Sequence, residues 1–188
     1  MQNTEDQNTT KKDRRKRWLI ILLLLLLLLL VIFLIYRYVI VADLYLKQGK
    51  VEYLQGMKIR GLPEEKGKEV GKVYAADIWA NIKYYDGNAI EAHLLLPKSI
   101  TYIGFDETGS ILDHFIDTEP QPDANGYLII DGGRPTPGFS GKVYIGKIIY
   151  KLNQTGGTID VLSDSKILKN DGQGSEIPFN AGDLKIAQ

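Results

Sequence analysis

The chain has no cysteine and only two histidines in 188 residues. Without thiols there is no disulfide, no thiolate metal site and no cysteine nucleophile. His93 and His114 belong to no H-E-x-x-H or comparable ligand spacing, so no metal site is read from them. No G-x-S-x-G nucleophile turn occurs, and the glycines at 132, 133, 138 and 141 are split by prolines with no helical pattern behind them. That excludes a phosphate loop. A broad basic surface is also missing. The zero net charge averages unlike parts: residues 1–17 hold six Lys/Arg and three Asp/Glu, whereas residues 72–188 hold ten and fifteen. An acidic domain has no electrostatic footprint for nucleic acid. Asp106, Glu107, Asp113 and Asp117 could pair as acid and base for glycoside chemistry, but acidic loops are more commonly solvated surface. The sequence therefore reads as non-enzymatic, with no cofactor and no metal.

What is present begins with an uncharged segment at 18–36 containing an unbroken leucine run at 22–30. Nineteen residues at about 1.5 Å each give roughly 28 Å, close to the ~30 Å hydrocarbon thickness of a bilayer. A helix that is leucine on every side suits lipid, which solvates all sides equally. Trp18 at one edge and Tyr36 and Tyr38 at the other fit an interfacial aromatic belt. Six basic residues between Lys11 and Arg17 precede the span, and only Arg37 precedes Asp43 beyond it. That asymmetry keeps the N-terminus cytoplasmic and exports the rest. The apolar stretch is longer than a signal-peptide core, and 39–42 is a poor cleavage site, so an uncleaved signal anchor in the cell membrane is expected over a cleaved signal. The first ten residues, MQNTEDQNTT, are expected to be disordered.

Residues 37–71 carry Gly49, Gly56, Gly61, Pro63, Gly67 and Gly71 among Lys and Glu, and are read as a juxtamembrane stalk, with a short helix or strand at 51–59. From residue 72 the period becomes two. Ile78, Ala80 and Ile82 alternate with polar neighbours, as do Ile90, Ala92 and Leu94, with turn chemistry at YDGN 85–88 between them. Further strands are expected at 101–105, 126–130, 143–152, 158–162 and 184–186, and a short helical turn in SILDHFI at 110–116. Many short strands at this spacing suggest an all-β sandwich.

The order of IEAHLLLP (90–97), TYIGF (101–105), GSIL (109–112), GGRPTPGFSG (132–141), GKIIYKL (146–152), TGGTIDV (155–161) and KILKNDGQGS (166–175) resembles the cohesin domain over roughly residues 72–180. The resemblance implies a jelly-roll β-sandwich of about nine strands, related in fold to carbohydrate-binding modules, with a protein partner of dockerin type. No dockerin-like calcium repeat occurs in this chain, so such a partner would be a separate protein.

In GGRPTPGFSG, glycines 132, 133 and 138 with Pro135 and Pro137 make a rigid loop, and Phe139 is the residue able to plug it into the core. Either the loop fixes sandwich geometry or it touches a ligand directly. Asn170-Asp171-Gly172 is turn chemistry. With Asp164 nearby it could offer oxygens to Ca²⁺, although the carboxylates do not follow the calcium-loop pattern. Two functions remain open. One is a cell-surface module that docks a partner protein; the other is a carbohydrate-binding module for cell-wall or extracellular polysaccharide, which needs exposed rings to stack on sugars. Trp79, Tyr84, Tyr85 and Arg134 are the candidate contact residues for either.

Overall fold

The computed structural model describes residues 5–36, 41–49, 53–54, 57–58 and 69–186, which fall into two units, Met1–Ile40 and Val41–Gln188. The first is helix α1, Glu5–Ile35. Its stretch Lys16–Ile35 is the one segment among the described residues long and apolar enough to cross a membrane, and side chains 18–36 are all exposed. The helix starts well before the apolar segment, so residues 5–10, expected to be disordered, are helical. A helix once nucleated adds further residues at little cost, and the Lys, Arg and Glu between are good helix formers.

The second unit is built from strands β1 (Ala42–Gly49), β2 (Tyr53–Leu54), β3 (Met57–Lys58), β4 (Val73–Leu95), β5 (Ile100–Asp106), β6 (His114–Phe115), β7 (Tyr127–Gly133), β8 (Phe139–Leu152), β9 (Thr158–Val161), β10 (Lys166–Lys169), β11 (Phe179–Gly182) and β12 (Leu184–Lys185). It is a mixed-sheet β-sandwich: β1 runs parallel to β11 and the other pairings are antiparallel.

Strand β4 organises the sandwich. Its first half pairs with β1 on one edge and β8 on the other; its second half pairs with β10 and β9 on one edge and β7 on the other. The expected reversal at 85–88 is therefore a bend within one strand, with the register shift falling between Ile82 and Gly87. Both edges of each half are already taken by other strands, so the halves have no free edge with which to form a hairpin. Gly87 is required at the bend, because a Cβ there would meet the Phe139 ring at 2.7 Å.

Ala76, Ile78, Ala80, Ile82, Ile90, Ala92 and Leu94 of β4 point inward against Leu44, Leu128, Ile130, Ile145, Ile148, Tyr150 and Leu152. Each such Ile or Leu contributes about 1.5–3 kcal/mol by burial.

Two further expectations are corrected. The stalk read at 37–71 does not hold for 42–49, which is strand β1, lying between β4 and β11 with Ala42, Leu44 and Leu46 buried. A short β2–β3 pair falls in the 51–59 stretch, and 37–40, 50–52, 55–56 and 59–68 lie outside the described residues. SILDHFI is not a helical turn. The N–H groups of Ile111, Asp113 and Ile116 donate to Tyr144, Gly133 and Asp131 carbonyls on neighbouring strands (2.9, 3.1 and 3.0 Å), which withdraws them from any helix.

Candidate interaction face

On the second half of β4 the alternation that buries Ile90, Ala92 and Leu94 turns Glu91 and His93 to the other side. In β7, Leu128 and Ile130 go inward while Tyr127, Ile129 and Asp131 go outward. Register places Glu91 between Lys166 and Asp131, and His93 beside Ile129. Four strands, β10, β4, β7 and β6, thus present one outer face.

A polar chain crosses this face. Lys166 Nζ lies 2.9 Å from Glu91 Oε2, and Glu91 Oε1 lies 2.6 Å from His93 Nε2. His93 Nδ1 is 2.9 Å from Asp164 Oδ2, and the Tyr127 hydroxyl contacts His93 Nδ1 and donates to Asp164 Oδ2 at 2.9 Å. The His93 and Tyr127 rings meet edge-on, 5.3 Å apart. His93 is only 7% exposed, and its backbone N–H donates to the buried Ser165 Oγ (2.9 Å).

The hydrogen bond from Lys166, followed by that from His93, holds the Glu91 carboxyl below the usual carboxylate range. Hydrogen bonds from His93 and then Tyr127 do the same for Asp164. Asp131 moves the other way, raised first by burial and then by the neighbouring Glu91 charge.

Beside this chain lies a groove of about 360 Å³ lined by Ile116, Ile129, Tyr127, Asp117, Asp123 and Asp131 among others. Ile116 is 82% exposed and Ile129 40%. Branched aliphatic side chains left in water cost free energy unless something covers them. The lining sets exposed aliphatic side chains beside three carboxylates.

The residues singled out in the sequence sit elsewhere. Trp79 faces outward from the first half of β4, in register between Tyr45 and Tyr144. It is half-buried, its ring 5.1 Å from that of Tyr144, with Lys142 Nζ 4.7 Å above it. Tyr84 is 62% exposed at the bend, and Tyr85 packs on the core with Lys169 Nζ 4.6 Å from its ring.

Arg134 donates its backbone N–H to Asn88 O (2.6 Å), and its Nε lies 3.2 Å from Asp113 Oδ2. That separation is within ion-pair distance, yet Nε has no hydrogen-bond partner; the contact is a charge pairing rather than an aligned bond. Tyr84, Tyr85 and Arg134 gather near the bend, away from Trp79, so the four form no single site.

In the loop, Gly132 and Gly133 close β7, Pro135 and Pro137 are exposed, and Gly138 has φ +80 where a Cβ would strike Asn170 Nδ2 and Gly87 O. Phe139 opens β8 with its ring in the core. The 170–175 turn packs against the same loop: the Asn170 N–H donates to Asp86 O (2.7 Å) and its Nδ2 to Pro137 O (3.3 Å). Beyond it is Gly172, at φ +70.

Asp171 Oδ1 accepts the Gln173 N–H (2.9 Å), and its carboxyl is lowered first by a hydrogen bond from Ser175. Asp164 is spent on His93 and Tyr127, and the four residues of β10 separate it from Asp171. At about 3.3 Å per residue the two carboxylates are not brought together, so the calcium alternative weighed for this turn gains no support from Asp164.

The acids weighed for glycoside chemistry serve their own turns. Asp106 Oδ1 caps Thr108 N–H and Asp117 Oδ1 caps Glu119 N–H, both at 2.9 Å, and Asp113 faces Arg134.

Sequence reasoning did not single out Glu91, Ile116, Tyr127, Ile129 or Lys166, and weighed His93 and Asp164 only as metal ligands. One local signal existed: Glu91 and His93 stand two apart in a strand and so share a face.

No protein-family model matches the chain, and no curated protein matches it. Solved structures do. A type II cohesin domain from the cellulosome of Acetivibrio cellulolyticus superposes with TM-score 0.55 at 8% identity, over 78% of this chain and 94% of that one. The sixth cohesin of scaffoldin B from Acetivibrio cellulolyticus, solved in complex with a Cel5 dockerin, gives TM-score 0.53 at 9% identity, over 76% and 96%. At such identities the likeness is one of fold: the second unit has the cohesin β-sandwich fold.

Proposed function

We propose that this protein is a non-catalytic recognition module whose docking face is the outer side of β10, β4, β7 and β6, held at the cell surface by α1 as an uncleaved anchor. The observation that carries the reading is the pair of exposed isoleucines, Ile116 and Ile129, lining one groove with Tyr127, Asp117, Asp123 and Asp131. Exposed aliphatic side chains grouped with polar and charged ones are what protein interfaces use. The charge calls for a partner with an aliphatic or aromatic anchor flanked by Lys or Arg. A dockerin-type partner is supported by the fold and by the solved scaffoldin B cohesin complex with its dockerin.

The basic block before the span supports a cytoplasmic N-terminus and an extracytoplasmic sandwich. The recognition domain then starts at Val41, and any stalk is confined to residues outside the sandwich.

The test is binding of the intact protein in detergent to an array of dockerin modules, compared with Ile129→Asp. Burying a charge at the centre of the face is expected to cost at least about tenfold in affinity, or about 1.4 kcal/mol. Binding indifferent to Ile129→Asp would move the site off this face.

A further inference from the structure

Register sets three aromatic side chains in one row on the outer side of β1, β4 and β8. Tyr45 pairs with Trp79, and Trp79 with Tyr144. Their chain neighbours Leu44, Leu46, Ile78, Ala80, Val143 and Ile145 are buried in the core, so the alternation turns all three rings outward, where each is part-exposed. With strands about 4.8 Å apart, the row runs for roughly 10 Å across the sheet. Beyond Tyr45 the residue in register on β11 is Gly182, where a Cβ would lie 2.5 Å from Tyr45 Cβ. The row therefore ends on a residue with no side chain.

Lysines flank this row on both sides. Lys142 stands in register with Asn81, on one side of Trp79, and Lys47 with Asp77, on the other. Lys142 Nζ lies 4.7 Å from the Trp79 ring centre and Lys47 Nζ 5.1 Å from that of Tyr45. Both lysines are exposed, and among the described residues neither has a carboxylate within ion-pair distance. Of the other charges here, Lys83 offsets Asp43 at 3.3 Å, and the Lys147 charge acts on Asp77. Across β1, β4 and β8 four lysines thus face two aspartates, with Asp106 of β5 bordering the far edge. This surface is basic on a chain whose residues 72–188 hold ten Lys/Arg and fifteen Asp/Glu.

We propose that the Tyr45–Trp79–Tyr144 row is a second binding surface, for an acidic polysaccharide: the apolar faces of successive sugar rings lie on the aromatic row while Lys47 and Lys142 meet the carboxylates that the sugars carry. Sugar C–H groups suit the negative face of an aromatic ring. An ammonium bonds a carboxylate more strongly than it does a neutral hydroxyl. A neutral glycan would leave the two lysines without counter-charges, and a polyanion lacking rings would leave the aromatic row uncovered. The surface takes no residue from β10, β7 or β6, so it stands apart from the docking-face reading.

The experiment is a fluorescence titration of the intact protein in detergent micelles. The chain has two tryptophans, and Trp18→Phe leaves Trp79 as the sole reporter. The acidic probes are oligomers of galacturonate, alginate and hyaluronate; cellohexaose supplies rings without charge, polyphosphate charge without rings, and oligo-dT both in a nucleic acid. At least one acidic oligosaccharide should change the Trp79 emission saturably, weakening as salt is added, with cellohexaose, polyphosphate and oligo-dT at least about tenfold weaker.

Tyr45→Ala and the pair Lys47→Ala with Lys142→Ala should each lower the affinity for that oligosaccharide at least about tenfold, and the lysine pair should also flatten the salt dependence. Tyr45 is part-buried and its variant risks misfolding, whereas both lysines are exposed and keep the test open. No emission change with any acidic oligosaccharide, affinity indifferent to loss of the two lysines, or equal binding of cellohexaose, polyphosphate or oligo-dT would overturn the proposal.

Discussion

At the residue scale, Phe139 and the outer-face carboxylates give the sharpest expectations. The Phe139 ring is 5% exposed and touches the bend at Gly87, so Phe139→Ala should cost about 3–5 kcal/mol in denaturant unfolding. A cost under about 1 kcal/mol would contradict its place in the core. Glu91 and Asp164 titrate lower folded than unfolded. Their contribution is therefore present above the unfolded carboxylate value, about 4, and is lost as pH falls through the lower folded values. The melting temperature should drop on acidification below about pH 4, and Glu91→Gln with Asp164→Asn should flatten that acid limb. An unchanged limb would mean the two carboxylates are not coupled to folding. Phe139 was legible because it is the only large apolar side chain in a Gly/Pro loop. The His93 cluster was not, because its partners come from β7 and from beyond β9, and no local period announces a contact that distant in sequence.

At the scale of elements, β1 and β4 teach the most. The alternating apolar positions of β4 were readable in both halves, since a half-buried strand imposes period two on its sequence. What the period cannot report is whether consecutive strands reverse or continue. That depends on which edges other strands occupy, and here all are taken. The apolar alternation of β1, Ala42, Leu44 and Leu46, sits next to a glycine-rich charged segment and was absorbed into it. A chain beginning at residue 72 would leave an edge of β4 and β11 unpaired and lose two buried leucines worth about 1.5–3 kcal/mol each. We expect a fragment of residues 41–188 to be monomeric with a cooperative melt, and one of 72–188 to aggregate. Equal behaviour of the two would show that β1 is dispensable. Gly87→Ala, which drives a methyl to 2.7 Å from the Phe139 ring, should cost about 1–3 kcal/mol.

For the whole molecule, the leucine run lacking any polar side stands out by composition, whereas the start of the second unit, at Val41 rather than residue 72, does not. The sandwich fold was legible because period-two segments recur between turn residues, even though two of them run on as the single strand β4. Its functional face was not, because two isoleucines become a patch only when β6 is laid beside β7.

Recognition of a protein by this face is tested by photo-crosslinking in intact cells of the source organism. A photoreactive side chain would be placed at Ile129 and, separately, at Tyr84 and Trp79. A discrete protein adduct is expected from position 129 and is lost when Ile116→Asp is added, and none is expected from positions 79 and 84. Adducts confined to positions 79 or 84, with polysaccharide as the captured species, would contradict it.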